Sequence, residues 1–182
     1  MKEIRFHGRG GQGGVTSAEL LAVAAIEHGK YAQAFPSFGP ERRGAPVVAF
    51  CRISDTPIKL RANIYEPDVV IVLDPSVLTI AHVEQGLKQD GTLICNTKYD
   101  GYHIRDILKI KQRIATVDAT HIAMEILKLP ITNTTMLGAL IKATGFLEKD
   151  ALEEPLKKRF GKIAEKNIRA YEEAYEKTTI LE

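Results

Sequence analysis

Cysteine is scarce: Cys51 and Cys95 are the only two in 182 residues. They stand far apart, each inside a run that reads as a strand, with no CxxC and no Cys/His cluster. The chain by itself therefore lacks the ligand pattern of an iron–sulfur cluster or a structural zinc site. A single disulfide between the two stays open. No stretch of 18 apolar residues occurs, so no membrane-spanning helix is expected. The opening Met1-Lys2-Glu3-Ile4-Arg5 carries no apolar core of the kind a secretory signal needs. The expected compartment is the cytoplasm, with reduced thiols. Charge of one sign is not in excess either, since 25 Lys and Arg against 23 Asp and Glu leave a net charge of +2. That removes the electrostatic case for a general nucleic-acid binder or a polybasic membrane-surface protein, although a local basic patch stays open. A hydrophobic share of 45% and a charged share of 26% exclude bulk disorder. No internal repeat or low-complexity segment is visible. The length suits one domain, read as residues 1–182.

What is present is an alternation of strands and helices. A first strand spans about Glu3 to His7, a glycine-rich turn Gly8 to Gly14, and a helix Val15 to His28 with Leu20, Leu21, Ala24 and Ala25 at helical spacing. Gly29 is placed to stop it. Tyr31 to Pro46 holds Pro36, Pro40 and Pro46 and reads as a long ordered loop with no clear strand. Val47 to Ser54 reads as a strand, and Val69 to Leu73 as a strand buried on both faces, as in the middle of a parallel sheet. Ser76 to Leu87 reads as a helix capped by Ser76, with Val77, Ile80, Ala81 and Val83 inward. Strands at Thr92 to Asn96 and Ile114 to Val117 follow, with a short element at Ile107 to Ile110 and a helix Ala119 to Lys128 capped by Asp118. Beyond Pro130 the pattern is helical: Asn133 to Thr144 with Asn133 in a capping position, Lys149 to Arg159 with Glu153/Lys157 and Glu154/Lys158 pairs, and Lys162 to Lys177. This is an α/β fold, a mainly parallel, Rossmann-like sheet flanked by helices with a helical C-terminal segment.

Two segments carry chemistry. Gly8-Arg9-Gly10-Gly11-Gln12-Gly13, with Gly14 next, matches G-x-G-x-x-G between a strand and a helix. Glycines allow close approach, and the helix that follows offers free N–H groups and a positive dipole end to an anion. An ordinary dinucleotide site also expects an acid closing a second strand about 20 residues on. The region Tyr31 to Phe38 supplies neither, so a tight strand-to-helix turn is the competing reading. The second segment, Pro36-Ser37-Phe38-Gly39-Pro40-Glu41-Arg42-Arg43-Gly44-Ala45-Pro46, joins rigid turns to two guanidiniums that suit phosphate or carboxylate. A surface loop with Glu41 paired to an arginine is its bland alternative. Neither segment offers a nucleophile–base pair. Lys157-Lys158-Arg159 with Lys162 reads as a solvated face, and His82, His103 and His121 show no ligand spacing.

Taken together, Phe6 to Val15 and Gln33 to Val47, followed by Glu66-Pro67-Asp68, Asn133-Thr134-Thr135-Met136-Leu137-Gly138-Ala139 and a last helix with Asn167, resemble the gamma subunit of 2-oxoacid:ferredoxin oxidoreductases over essentially the whole chain. Within that family, Arg43-Gly44-Ala45-Pro46-Val47 looks like the pyruvate and 2-oxoisovalerate enzymes, whereas the 2-oxoglutarate enzymes usually carry a Gly-Gly pair after the arginine. The resemblance implies an accessory subunit, inactive alone, of an enzyme that converts a 2-oxoacid, coenzyme A and oxidised ferredoxin to acyl-CoA, carbon dioxide and reduced ferredoxin. Its partners would be alpha, beta and delta subunits, with ferredoxin as acceptor of the complex and no nucleic acid or membrane. Thiamine diphosphate and [4Fe-4S] clusters would sit on the partner subunits. Gly8, Arg9, Gly10, Gly11, Gln12, Gly13, Gly14, Arg42 and Arg43 are the residues suited to coenzyme A, and Phe35, Ser37, Phe38, Gly39, Glu41, Gly44 and Asn133 those suited to an interface. A stand-alone nucleotide- or coenzyme-binding module and a scaffold whose loops only shape an interface remain the alternatives.

Overall fold

The computed structural model describes residues 1–37 and 44–182. Seven strands form one sheet: β1 (Lys2–Arg9), β2 (Tyr31–Pro36), β3 (Pro46–Ser54), β4 (Val69–Val72), β5 (Thr92–Asn96), β6 (Arg113–Val117) and β7 (Thr179–Leu181), in the order β2-β3-β1-β4-β5-β6-β7. The pairs β1–β4, β4–β5 and β5–β6 are parallel. Antiparallel pairs close both edges, β2–β3–β1 on one side and β6–β7 on the other. The continuous apolar run of β4 is what its central place requires, because all four residues are buried.

Among the described residues the α-helices are α1 (Gly14–Glu27), α2 (Gly101–Leu108), α3 (Ala119–Ile126), α4 (Asn133–Thr144), α5 (Glu153–Phe160) and α6 (Ala164–Lys177). One face of the sheet, carrying Ile4, Phe6, Ala49, Cys51, Ile71 and Ile94, packs against residues of α1, α4 and α6 such as Leu21, Leu137 and Tyr171. The other face, carrying Val70, Val72, Leu93 and Cys95, packs against Val77, Val83, Leu87 and Ile104 of α2. Both cysteines are buried and free, and burial raises each thiol well above its ordinary range. Among the described residues no helix is long and apolar enough to cross a membrane.

Several elements depart from the sequence reading. Tyr31–Pro36 is a strand and not part of a loop. Its support is lateral: it pairs in register with β3, and Phe35 meets Phe50 with ring centroids 5.2 Å apart. The expected helix 76–87 is absent. Asp74, not Ser76, caps a single 3-10 turn, Pro75–Val77, and Ile80 is exposed. The backbone then turns left-handed at His82 (φ 44°). The carbonyls of Val83 and Gln85 are drawn instead to Arg5 Nη2, at 2.9 and 2.6 Å. The short element expected at 107–110 is the end of α2, which starts six residues earlier, where Asp100 accepts from the His103 N–H. Asp118 caps α3 as expected, by accepting from the His121 N–H at 2.9 Å. The expected Glu153–Lys157 pair is present at 3.8 Å, but Glu154 also pairs with Lys157, and Lys158 reaches Glu27 on α1 instead.

Candidate functional site

The parallel strands all end at one edge of the sheet, and there the connections part company. After β1 the chain crosses to the face packed by α1, and after β4 it passes to the opposite face. Divergence of this kind opens a crevice between the two strand ends, the usual place for a ligand in an open α/β sheet. The glycine loop occupies it.

The crevice is braced from both sides. Gln12 spans it, with Oε1 accepting from the Arg9 N–H at 2.7 Å and Nε2 donating to Asp74 Oδ2 at 2.5 Å. Arg9 Nε donates to Ser76 Oγ at 2.9 Å and lies 3.7 Å from Asp74 Oδ2. Partial burial of Asp74 works to raise its pKa. Hydrogen bonds from Ser76 and Gln12 and the charge of Arg9 outweigh it, so the carboxyl is held below its ordinary range. Asp74 and Ser76 are site residues that the sequence reading passed over, although an Asp-Pro directly after a buried parallel strand marks this edge.

The second segment meets the first. Gly10 N–H donates to Ala45 O at 2.9 Å, Gly44 N–H to Gly10 O at 3.2 Å, and Arg9 Nη1 to Gly44 O at 2.8 Å. Residues 44–47 therefore lie alongside the glycine loop. Phe38, Gly39, Glu41, Arg42 and Arg43 lie outside the described residues. Phe35 and Ser37 fall elsewhere: Phe35 stacks on Phe50, and Ser37 donates its N–H to Val48 O, on the sheet face away from α1.

Gly8, Gly10, Gly11, Gly13, Gly14 and Val15, with Val47 and Ala49 of β3, line a pocket of about 280 Å³. Among the described residues no carboxylate lines it, and Arg9, engaged as above, is the one charged side chain that does. Helix α1 opens without a side-chain cap and without an acid in its first turn. Its first internal bond is Ser17 N–H to Gly13 O, so the N–H groups of Gly14, Val15 and Thr16 have no partner inside the helix. Gly11 and Gly13 also edge a neighbouring cleft of about 360 Å³, walled by Leu129, Ile131 and Phe160 with Arg159 and Lys166.

Asn133 does not cap α4. Thr132 holds that position, and the Asn133 side chain packs against Gly13. Gly13 is left-handed (φ 80°), and a Cβ there would stand 2.6 Å from Asn133 Nδ2. Ser17 Oγ ties the two helix starts together with its single hydrogen shared between Gly13 O at 3.1 Å and Asn133 O at 3.2 Å. Behind them Thr134 Oγ1 donates to Asn167 Oδ1 at 2.9 Å. Replacing Gly13 by alanine is expected to cost about 1–2 kcal/mol from the backbone conformation and the crowding together. Thermal unfolding should show a fall of a few degrees, and an unchanged melting temperature would contradict this packing.

Among the described residues no three His, Cys, Asp or Glu side chains stand together as metal ligands would. The site offers backbone donors and a shaped pocket.

The family model described as pyruvate ferredoxin/flavodoxin oxidoreductase matches residues 3–177. The chain is 56% identical, over 100% of both chains, to the common subunit gamma of pyruvate/ketoisovalerate oxidoreductases of Pyrococcus furiosus. It is 52% identical to the pyruvate synthase subunit PorC of Methanothermobacter thermautotrophicus, over 97% of this chain and 95% of that one. The crystal structure of the Thermotoga maritima pyruvate oxidoreductase subunit PORC superposes with a TM-score of 0.90 at 41% identity, covering 100% of this chain and 98% of the other. The chain belongs to the pyruvate ferredoxin/flavodoxin oxidoreductase family, as a chain of its gamma-subunit type.

Proposed function

We propose that this chain is the gamma subunit of a pyruvate:ferredoxin oxidoreductase in the cytoplasm, with residues 1–182 forming one gamma-type domain. The complex converts pyruvate, coenzyme A and oxidised ferredoxin to acetyl-CoA, carbon dioxide and reduced ferredoxin. Alpha, beta and delta subunits carry thiamine diphosphate and the [4Fe-4S] clusters, and ferredoxin is the electron acceptor. The full-length likeness to relatives that are themselves named as subunits supports this reading. A second substrate has a specific observation behind it: the Pyrococcus furiosus relative is named as common to pyruvate and ketoisovalerate oxidoreductases. One such chain would serve both a pyruvate enzyme and a 2-oxoisovalerate enzyme.

Within the complex, the role read for the glycine pocket is to hold a phosphate of coenzyme A. One observation carries it: the uncapped start of α1, free of acids, opens on a pocket walled by glycines. The chemistry fits, because backbone N–H groups and a helix dipole favour an anion. Coenzyme A supplies the thiol that takes up the acyl group. Arg42 and Arg43 suit its other phosphates, the adjoining cleft with Arg159 and Lys166 suits its apolar arm, and Phe35, Ser37, Phe38, Gly39, Glu41, Gly44 and Asn133 are proposed to face partner chains. Val15→Asp tests the pocket. A carboxylate in the first turn of α1 suits the helix dipole but repels a phosphate. In the assembled enzyme KM for coenzyme A should rise roughly ten-fold with KM for pyruvate unchanged. Equal KM values for coenzyme A in the two proteins would remove the pocket from the reading.

A further inference from the structure

On the sheet face away from α1, a second cavity of about 210 Å³ lies over β1 and β3. Arg5, His7, Ser37, Asn63, Tyr65 and His82 are among its lining residues. It shares no lining residue with the glycine pocket, and of its lining residues only Ser37 is among those proposed above to face partner chains. Two of its side chains carry unspent polar atoms. His7 is 5% exposed and Arg5 is 9% exposed. His7 Nε2 and Arg5 Nε are both buried without a hydrogen-bond partner among the described residues. Arg5 Nη2 is held by two neutral carbonyls, Val83 O and Gln85 O. No carboxylate stands within ion-pair distance of Arg5 among the described residues, and Glu84 acts on it only at longer range. A buried guanidinium N–H and a buried imidazole nitrogen without partners are costly, and a carboxylate accepts from both when Nε2 carries the imidazole proton.

We propose that this cavity is a carboxylate site, in which one small carboxylate is bound between Arg5 and His7. The carboxylate is either a free molecule or the end of an aspartate or glutamate side chain of an associated subunit. The second source rests on the subunit reading above, and the first does not.

The whole chain, isotopically labelled at its histidines, is titrated with sodium acetate at constant ionic strength, with sodium chloride as the control. The His7 signal is assigned as the one missing from the spectrum of a His7→Gln variant. Saturable movement of that signal by acetate, at a midpoint about ten-fold below any effect of chloride, is expected for a site open to free carboxylates. Movement only when the partner subunits are added, and lost when Arg5→Gln is used in a folded complex, identifies a protein carboxylate. Equal responses to acetate and chloride, or no response to acetate or to assembly, would overturn the proposal.

Discussion

Lowering the pH from 7 to 3 is expected to cost the fold roughly 4 kcal/mol through His7 alone, and replacing His7 by glutamine should abolish that cost. Burial, and then the positive charge of Arg5, push the His7 imidazole down to about 3. In the unfolded chain the same group titrates near 6.5. Between these values the unfolded state binds a proton that the folded state refuses, so stability falls as pH falls, by a little over 1 kcal/mol per pH unit. Below about 3 both states are protonated and the effect levels off. Denaturant unfolding of the wild-type protein and of His7→Gln, across pH 3 to 7 in chloride buffers, isolates the contribution, because every other acid-sensitive group is shared. The wild type should lose ground to the variant by several kcal/mol along the series. Parallel stability curves would mean that His7 takes up its proton normally and that its buried surroundings are wrongly described.

Gly138→Ala should lower stability by about 3 kcal/mol or more, a fall of roughly 10 °C in melting temperature. Gly138 lies in α4 where that helix packs on α6. A Cβ at this position would overlap the carbonyl oxygen of Tyr171 and stand 3.0 Å from the backbone nitrogen of Tyr175. Two helix backbones must part to admit one methyl group, and the core behind them, with Leu137, Leu140 and Ala170 fully or nearly fully buried, would open with them. Intrinsic helix propensity points the other way, since alanine in a helix is favoured over glycine by about 1 kcal/mol. The sign of the change therefore separates the two effects. A melting temperature equal to or above that of the wild type would show that α4 and α6 are not in close backbone contact.

Local signals carried the parallel half of the sheet. The Val69–Val72 run, the glycine turn between β1 and α1, and the capping aspartate Asp118 each act within a few residues, and each element forms where its own sequence places it. What escaped was settled at a distance. β2 holds a strand conformation because Phe35 and its neighbours find partners on β3, while the prolines around it suggest a loop. Residues 76–87 have an apolar spacing suited to a helix, yet Arg5, 78 and 80 residues away in the chain from Val83 and Gln85, claims their carbonyls. β7 is only three residues long, and pairs with the edge of β6. The site divides in the same way. Its glycines are visible as a motif, but the bracing of Gln12 by Asp74 joins residues 62 apart. Asn133 carries a good capping residue's chemistry and is instead spent on packing against Gly13. Phe35 and Ser37 stand close to Gly44 in the sequence, yet the pleat places them on the sheet face away from α1, which only the pairing of β2 with β3 decides.

The most direct measurement is subunit omission. The alpha, beta and delta subunits proposed as partners are combined with thiamine diphosphate, coenzyme A, pyruvate and oxidised ferredoxin, and ferredoxin reduction is followed with and without this chain. Turnover should fall at least about a hundred-fold without it and return on its addition in equimolar amount, while the chain alone reduces no ferredoxin. Full turnover by the other subunits in its absence, or turnover of pyruvate by this chain on its own, would contradict the assignment.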